Sequence, residues 1–536
     1  MAFVRLGRCP PRWKHRRPGR IRPGTERQGA PRSRSVSHRF RRPAATDPVP
    51  AEPAGTARWV DAIIPSPFHE GAEGMDVISK INSTKMRPYQ WLIVVLCMFC
   101  NMLDGFDFFA MGFVLPHLPA DFAAPSEKGY LISAGLLGMA AGAIFVAPLA
   151  DRYGRRLLIL AGLTLNIVSM VTTALAPNSA VMLGGRFLTG IGVGVISATM
   201  IVVAQEYSSA ARRNFAIGIV TVGFPLGSTL AGLTGVSLMS IFGGAWQAMF
   251  WVGAAVSFLG LVLVAALLPE TLTFLLTTDK PGAQDKVARI ATKLGLDYTP
   301  TEQQPQSSTT VAPPAPGKPR VLSAELRERT VLLWIGYAFL TAAYYFVGTW
   351  TPQLIADASG STQDGAIAGT IISIGSLAGS IVFGLIGLRF LATRIAWMAL
   401  SLAVVSLVLF TLTMGGPLAL VMATALGLAV FVSVSSYTAM APPMYPALAR
   451  ARGYGLMVGI SRIGAIITPI LAGYASESVA PKYIFLAASI PLAISALAAL
   501  RLWSITRTQF TAELADAAAL HEAAQTLDTE SRTAVR

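Results

Sequence analysis

Asp104 and Asp107 stand three residues apart in Leu103-Asp104-Gly105-Phe106-Asp107, inside an apolar segment that runs from Trp91 to about Leu115. On a helix, residues at i and i+3 share a face about 5 to 6 Å apart, and an ionisable group inside a bilayer is costly enough to mark a functional position. Two carboxyls so placed, away from bulk water, cannot both ionise easily, so at least one is expected to hold a proton near neutrality. That is the chemistry of a proton carrier. The competing reading is structural: Asp and Gly are poor helix formers, and the same side chains would cap a helix broken around Gly105.

Two arginines lie at a comparable depth. At 1.5 Å per residue, Asp104 sits roughly 20 Å and Arg186 roughly 22 Å from the side on which the first span begins, in a hydrocarbon core of about 30 Å. Arg186, in Gly184-Gly185-Arg186-Phe187, is therefore placed to pair with Asp104 or Asp107, or to hold an anionic substrate through its planar fork. Arg462, in Gly459-Ile460-Ser461-Arg462-Ile463-Gly464, lies about 14 Å deep by the same measure and serves as a second anion site, unless it snorkels to the surface. Phe106, Tyr344 and Trp350 are candidates for stacking on a substrate ring. Near one membrane face, Asp151-Arg152-Tyr153-Gly154-Arg155-Arg156 and Glu206 form a charged set suited to gating. Asp151 can cap a helix or pair with an arginine, and such pairs hold one conformation closed; the arginines also suit a purely topogenic cluster.

No phosphate-binding loop, metal-ligand cluster or nucleophile elbow is present. The expectation is a protein that is not an enzyme and carries neither cofactor nor metal. Work would then come from an ion gradient, worth about 2.3 kcal/mol per charge per 100 mV. Cys97 and Cys100 form a C-x-x-C pair without a second pair, so apolar packing is expected of them.

The elements that must position these residues are membrane helices. Of 536 residues 53% are hydrophobic and 13% charged, with a mean hydropathy of +0.55. Twelve apolar stretches are long enough to cross a bilayer: 91–115, 129–150, 157–176, 181–205, 215–240, 246–268, 331–355, 366–388, 395–414, 417–440, 453–476 and 482–503. With the N-terminus in the cytoplasm, the inner short loops hold Arg152, Arg155, Arg156, Arg212, Arg213, Arg389, Arg394, Arg450 and Arg452, whereas the outer ones hold Lys128 and Lys482. This asymmetry predicts cytoplasmic termini; the location expected is a cell (inner) membrane.

The formal charge of +15 raises the question of nucleic acid, but thirteen arginines and one lysine against one acid fall within residues 1–45. The basicity belongs to a Pro-rich tail over 1–74, expected to be disordered. Synthesis is expected to begin at Met75, and an intact mass of the native protein that included residues 1–74 would refute this. The remaining domains are an N-terminal six-helix bundle (75–268), a cytoplasmic linker loop (269–330) with a short surface helix near Lys280 to Leu294, a C-terminal bundle (331–503) and a C-terminal tail (504–536). A monomer is expected, with the bilayer, an organic anion and protons as partners and no nucleic acid.

The halves repeat at an offset of about 236 to 241 residues. Gly112 falls on Gly348, Pro116 on Pro352, Gly138-x-x-x-Gly142 on Gly375-x-x-x-Gly379, Arg152 on Arg389, Tyr207 on Tyr445 and Leu230-Ala231-Gly232 on Leu471-Ala472-Gly473. Parallel repeats of six helices characterise secondary transporters whose site lies between the halves at midplane. Asp104 falls opposite Leu340 and Asp107 opposite Ala343, so the acidic chemistry is confined to the first half.

The Asp151 to Arg156 loop resembles the cytoplasmic signature of the major facilitator superfamily, with Ala147 at a usual Gly position. Together with Asp104-Gly105-Phe106-Asp107, Gly185-Arg186-Phe187, Pro269-Glu270-Thr271, Gly348-Thr349-Trp350-Thr351-Pro352 and Arg462-Ile463-Gly464, it makes the chain from about Met75 to Ile505 similar to the aromatic acid:H+ symporter family. The resemblance implies an all-α membrane protein of twelve helices in two pseudo-symmetric bundles, importing benzoate-like or other small organic acids with protons. It implies that Asp104 and Asp107 serve proton coupling and that Arg186 and Arg462 serve the anion. Two other readings stand beside it: a proton-coupled exporter, suggested by Gly223-Phe224-Pro225-Leu226-Gly227, and a non-transporting receptor on the same fold.

Overall fold

A computed structural model of the chain describes residues 74–243, 245–278, 282–296, 321–324, 326–387, 389–414 and 416–534. The basic tail, the Met75 start and most of the polar linker lie outside the described residues or their side chains. Among the described residues twelve helices are long and apolar enough to span a membrane: α1 Pro88–His117, α2 Pro125–Tyr153, α3 Arg155–Ala174, α4 Ser179–Tyr207, α5 Arg213–Gly235, α6 Gln247–Leu267, α7 Arg327–Ser359, α8 Thr362–Ile386, α9 Ala392–Leu412, α10 Pro417–Met444, α11 Arg452–Ser476 and α12 Pro481–Thr508. No strand occurs among the described residues.

Several starts are set by chemistry that hydropathy does not see. Pro88, Pro125, Pro417 and Pro481 open their helices, where the missing N–H costs nothing and the fixed φ is already helical. Asn178 caps α4 by accepting from the Val181 N–H at 3.0 Å, and Ser361 caps α8 by accepting from Asp364 at 3.2 Å, each satisfying an otherwise orphaned donor. Within α2 the helix widens over Gly142–Val146 and tightens over Ala147–Leu149, since Pro148 cannot donate to the preceding turn. The chain then reverses into α3 through Gly154 at φ +107, a value that an L side chain adopts only under strain.

Packing repeats between the halves. α1 lies on α5 as α7 lies on α11, α4 joins α2 and α3 as α10 joins α8 and α9, and α6 covers α3 as α12 covers α9. The halves meet along α2 with α11, α5 with α8, and α1 with α7. The repeat partners Gly112 and Gly348 mark the α1/α7 crossing: a Cβ on Gly112 would lie 2.8 Å from the Thr349 carbonyl oxygen, and one on Gly348 would strike the Phe109 ring. Gly232 abuts Thr370 of α8 and its partner Gly473 abuts Pro125 and Ser126 at the start of α2, so small residues let the backbones close up at both symmetric seams. Side chains such as Leu497, Leu385 and Phe258 point outward, as expected of a lipid-facing surface.

We call the side on which α1 begins the near side. Hydrogen bonds joining the halves gather toward the far side: Tyr130 to Tyr474 at 2.9 Å, Ser133 to the Ile466 carbonyl at 2.7 Å, Lys128 to Gln353 at 3.1 Å and the Ser126 N–H to Glu477 at 3.2 Å. On the near side, a Cβ on Gly455 or Gly459 of α11 would meet nothing within 4 Å. These cross-half hydrogen bonds thus tie the halves at the far side, while Gly455 and Gly459 of near-side α11 have open space beside them. Two short amphipathic helices also lie on the near face. Gly74–Ser83 buries Val77 and Ile81, while Ala283–Lys293 buries Val287, Ile290 and Ala291, the second within the stretch expected to hold a surface helix.

Candidate functional site

From Met102 to Val114 every residue of α1 is buried. Asp107 forms an ion pair with Arg186 of α4, Nη1 donating to Oδ1 at 2.8 Å with both side chains at most 5% exposed. Nη2 reaches the Asp107 backbone carbonyl at 3.4 Å, and Gly135 of α2 leaves just enough room, since a Cβ there would stand 3.3 Å from Nη2. The fork of Arg186 is therefore directed to α1, which does not support its assignment to substrate in this conformation. The Asp pair is also divided: Asp107 has the arginine, whereas Asp104 is equally buried and its Oδ1 has no hydrogen-bond partner.

Facing them from the other half, Arg462 of α11 is partly exposed and donates from Nη1 to the Tyr345 hydroxyl at 2.8 Å. Asp104 lies within electrostatic reach of Arg462, Tyr344 and Tyr345. Aromatic rings fill the space between the halves: Phe108 meets Tyr345 edge-on at 4.7 Å, Phe109 meets Tyr344 at 6.0 Å, and Phe224 and Phe431 flank Tyr344 at 6.4 and 6.1 Å. The Tyr344 hydroxyl is buried without a partner. A buried carboxyl and a phenol without hydrogen bonds are costly to leave so, and a bound polar ligand would satisfy them.

Two sequence candidates fall elsewhere. Phe106 points into the N-terminal bundle, where a Cβ on Gly253 of α6 would stand 3.2 Å from its ring; on a helix it is about 160° from Asp104, so the two cannot share a face. Trp350 is fully buried six residues beyond Tyr344 in the same hydrophobic core, with its Nε1 unpartnered, and forms no stacked or edge-on ring pair among the described residues. Phe108, Phe109, Tyr345 and Phe431 take the places expected of them. Tyr345 was signalled by its neighbour Tyr344, but nothing in the sequence singled out Phe431.

The charged set near the membrane face also has a definite arrangement. Arg155 forms a close ion pair with Glu206 and a longer one, 3.4 Å, with the largely exposed Asp151. Arg152 lies over the Tyr153 ring at 5.5 Å, and Arg156 donates to the Ala265 carbonyl at 2.5 Å. Sequence reasoning missed the role of Glu270, whose Oε1 accepts from the backbone N–H groups of Arg155, Arg156 and Thr271 at 2.9, 3.2 and 3.0 Å. It neutralises the start of α3. These contacts all lie within the N-terminal half and its α6 extension, so in this conformation they bridge nothing across the cleft. Cys97 and Cys100 are buried free thiols.

Residues 97–443 and 333–523 match the family profile described as Major Facilitator Superfamily. The chain belongs to the major facilitator superfamily. It is accordingly a multi-pass membrane transporter. It is 29% identical over 325 residues to the 4-hydroxybenzoate transporter PcaK of Pseudomonas aeruginosa, covering 60% of this chain and 71% of that one. It is 31% identical over 311 residues to a gallate transporter of Pseudomonas putida, covering 58% and 68%. Among solved structures it is similar to the xylose transporter XylE from E. coli in a partially occluded inward open conformation, with a TM-score of 0.61 at 16% identity over 78% of this chain and 98% of that one. That likeness concerns the fold.

Proposed function

We propose that this transporter imports a small aromatic carboxylate, of the benzoate or hydroxybenzoate class, together with protons, across a cell (inner) membrane with both termini in the cytoplasm. One observation carries the reading: an unpartnered buried carboxyl, Asp104, and a cation held only by a phenol, Arg462, face each other across an aromatic cluster between the two halves. Arg462 retains donors beyond the one given to Tyr345, enough for the bidentate grip that guanidinium offers a carboxylate. The surrounding Phe108, Phe109 and Tyr344 rings suit edge-to-face packing on a planar substrate ring. Asp107, paired with Arg186, holds α1 against α4, and Asp104 carries the exchangeable proton. The 4-hydroxybenzoate and gallate for which the two relatives are named belong to the same substrate class.

Import proceeds by alternating access: anion and proton enter from the far side, the halves rock, and both leave on the near side. The test uses proteoliposomes and labelled 4-hydroxybenzoate under an imposed inward proton gradient. The expected result is acid-driven uptake, lost in Asp104→Asn and in Arg462→Gln. Gradient-driven efflux would assign an exporter, saturable binding without flux would assign a receptor, and unchanged acid-driven accumulation in Asp104→Asn would remove Asp104 from proton coupling.

A further inference from the structure

A cleft of about 400 Å³ opens on the near side between α3, the end of α6 and the surface helix Ala283–Lys293. Its floor is apolar, including Leu157, Leu160 and Phe274, and its rim carries Arg156, Lys286 and Arg289. Arg155 and Arg156 begin α3 while α6 ends at Leu267, so the cleft sits where hydrocarbon gives way to headgroups. Leu157 and Tyr153, which also line it, are 54% and 47% exposed at that level.

Charge and burial specify an occupant. Glu270, the acid in the lining, already accepts three backbone N–H groups, leaving the rim cationic. Lys286 and Arg289 are exposed and make no ion pair among the described residues. Arg156 is anchored through Nη2 on Ala265, while its Nε is buried without a partner. The surface helix is itself fixed rather than floating: Lys293 lies 5.4 Å over the Tyr89 ring of α1, and Arg87 donates to the Gly295 carbonyl at 3.0 Å.

We infer that this cleft binds one anionic phospholipid of the near leaflet, its phosphate among Arg156, Lys286 and Arg289 and an acyl chain along Leu157 and Leu160. A basic pocket beside membrane helices at the headgroup level suits such a lipid. A soluble anion would use the rim but leave the apolar floor empty. The inference is independent of the transported substrate.

The test is native mass spectrometry of the full chain released from nanodiscs of phosphatidylcholine mixed with phosphatidylglycerol, with the thermal midpoint read in parallel, since a ligand of the folded state raises it. Wild type is expected to retain phosphatidylglycerol and to be stabilised by it. Lys286→Gln/Arg289→Gln is expected to keep the wild-type midpoint in phosphatidylcholine alone but to bind phosphatidylglycerol about thirtyfold more weakly. Leu160→Trp, which fills the floor and spares the charges, is expected to lose retention as well. Equal retention by wild type and both variants would overturn the inference. Equal stabilisation by inorganic phosphate would also overturn it, in favour of a small-anion site.

Discussion

Replacing Asp107 and Arg186 singly and together tests the bond on which the first half is built. The pair is hydrogen-bonded at 2.8 Å and almost wholly buried. With charge centres about 4 Å apart and an effective dielectric constant of about 20, the attraction is about 4 kcal/mol, within the 3–5 kcal/mol typical of breaking a buried pair from one side. The two single changes are not equivalent. Asp107→Asn strands a guanidinium that cannot shed its proton, whereas Arg186→Gln strands a carboxyl that can escape by binding one. Asp107→Asn is therefore expected to be the more damaging. In the double variant an amide faces an amide and no buried charge is left, so a coupling of about 3 kcal/mol is expected in the double-mutant cycle. Denaturant unfolding of all four proteins in one detergent supplies the cycle. A coupling below about 1 kcal/mol, or Arg186→Gln emerging as the worse single change, would refute the reasoning.

Three further outcomes follow from contacts elsewhere. Gly105→Ala drives a Cβ into the Phe224 carbonyl across the α1/α5 seam, whereas Gly218 of α5 meets nothing within 4 Å; the first should lose about 1–3 kcal/mol or more by overpacking and the second gain up to about 1 kcal/mol of helix propensity, compared by unfolding midpoints. Glu270→Gln removes the charge at the start of α3 and should cost about 1–2 kcal/mol, seen as faster amide exchange in the first turn of α3 with little change in the second bundle. Gln353 accepts from Lys128 of α2 and donates to Asp357 at 2.7 Å, so Gln353→Ala should loosen the far-side closure and raise maleimide labelling of a Leu137→Cys reporter in α2; unchanged labelling would show that the Lys128–Gln353 bond does not hold the seam.

The twelve spans were legible because the bilayer demands length and apolarity together, and the repeat was legible because Gly112 and Gly348 occupy the same crossing from either side. The span ends were less so: 91–115 became Pro88–His117 and 129–150 became Pro125–Tyr153, since prolines and polar first turns extend helices beyond their hydrophobic cores. Within the site, α1 is the instructive case. A helix apolar on every side carries no periodic signal for which face meets which neighbour, and Met102 to Val114 are all buried. Composition therefore could not tell that Phe106 turns into its own bundle while Phe108 and Phe109 face α7. Glu270 was hidden for a different reason. It is 115 residues from the Arg155 N–H it accepts, and a cap supplied from so far away leaves no local pattern.

The division of charge between the halves also bears on how they move. In the first half Arg186 is engaged by Asp107 and Arg155 by Glu206 and Asp151, so these pairs stay intact if that bundle moves as a body. The far-side seam holds the halves by neutral or singly charged hydrogen bonds and by close backbone packing at Gly129 and Gly473, without an ion pair across it among the described residues. Bonds of that kind exchange readily for water, each contributing about 1 kcal/mol net. The four far-side bonds together therefore come to about as much as the Asp107–Arg186 pair, but they break one at a time with water taking each place, whereas the pair is lost whole; in the proposed cycle the bundle accordingly moves as a body, and Asp104 and Arg462 are the groups whose electrostatic balance an arriving anion and proton would change.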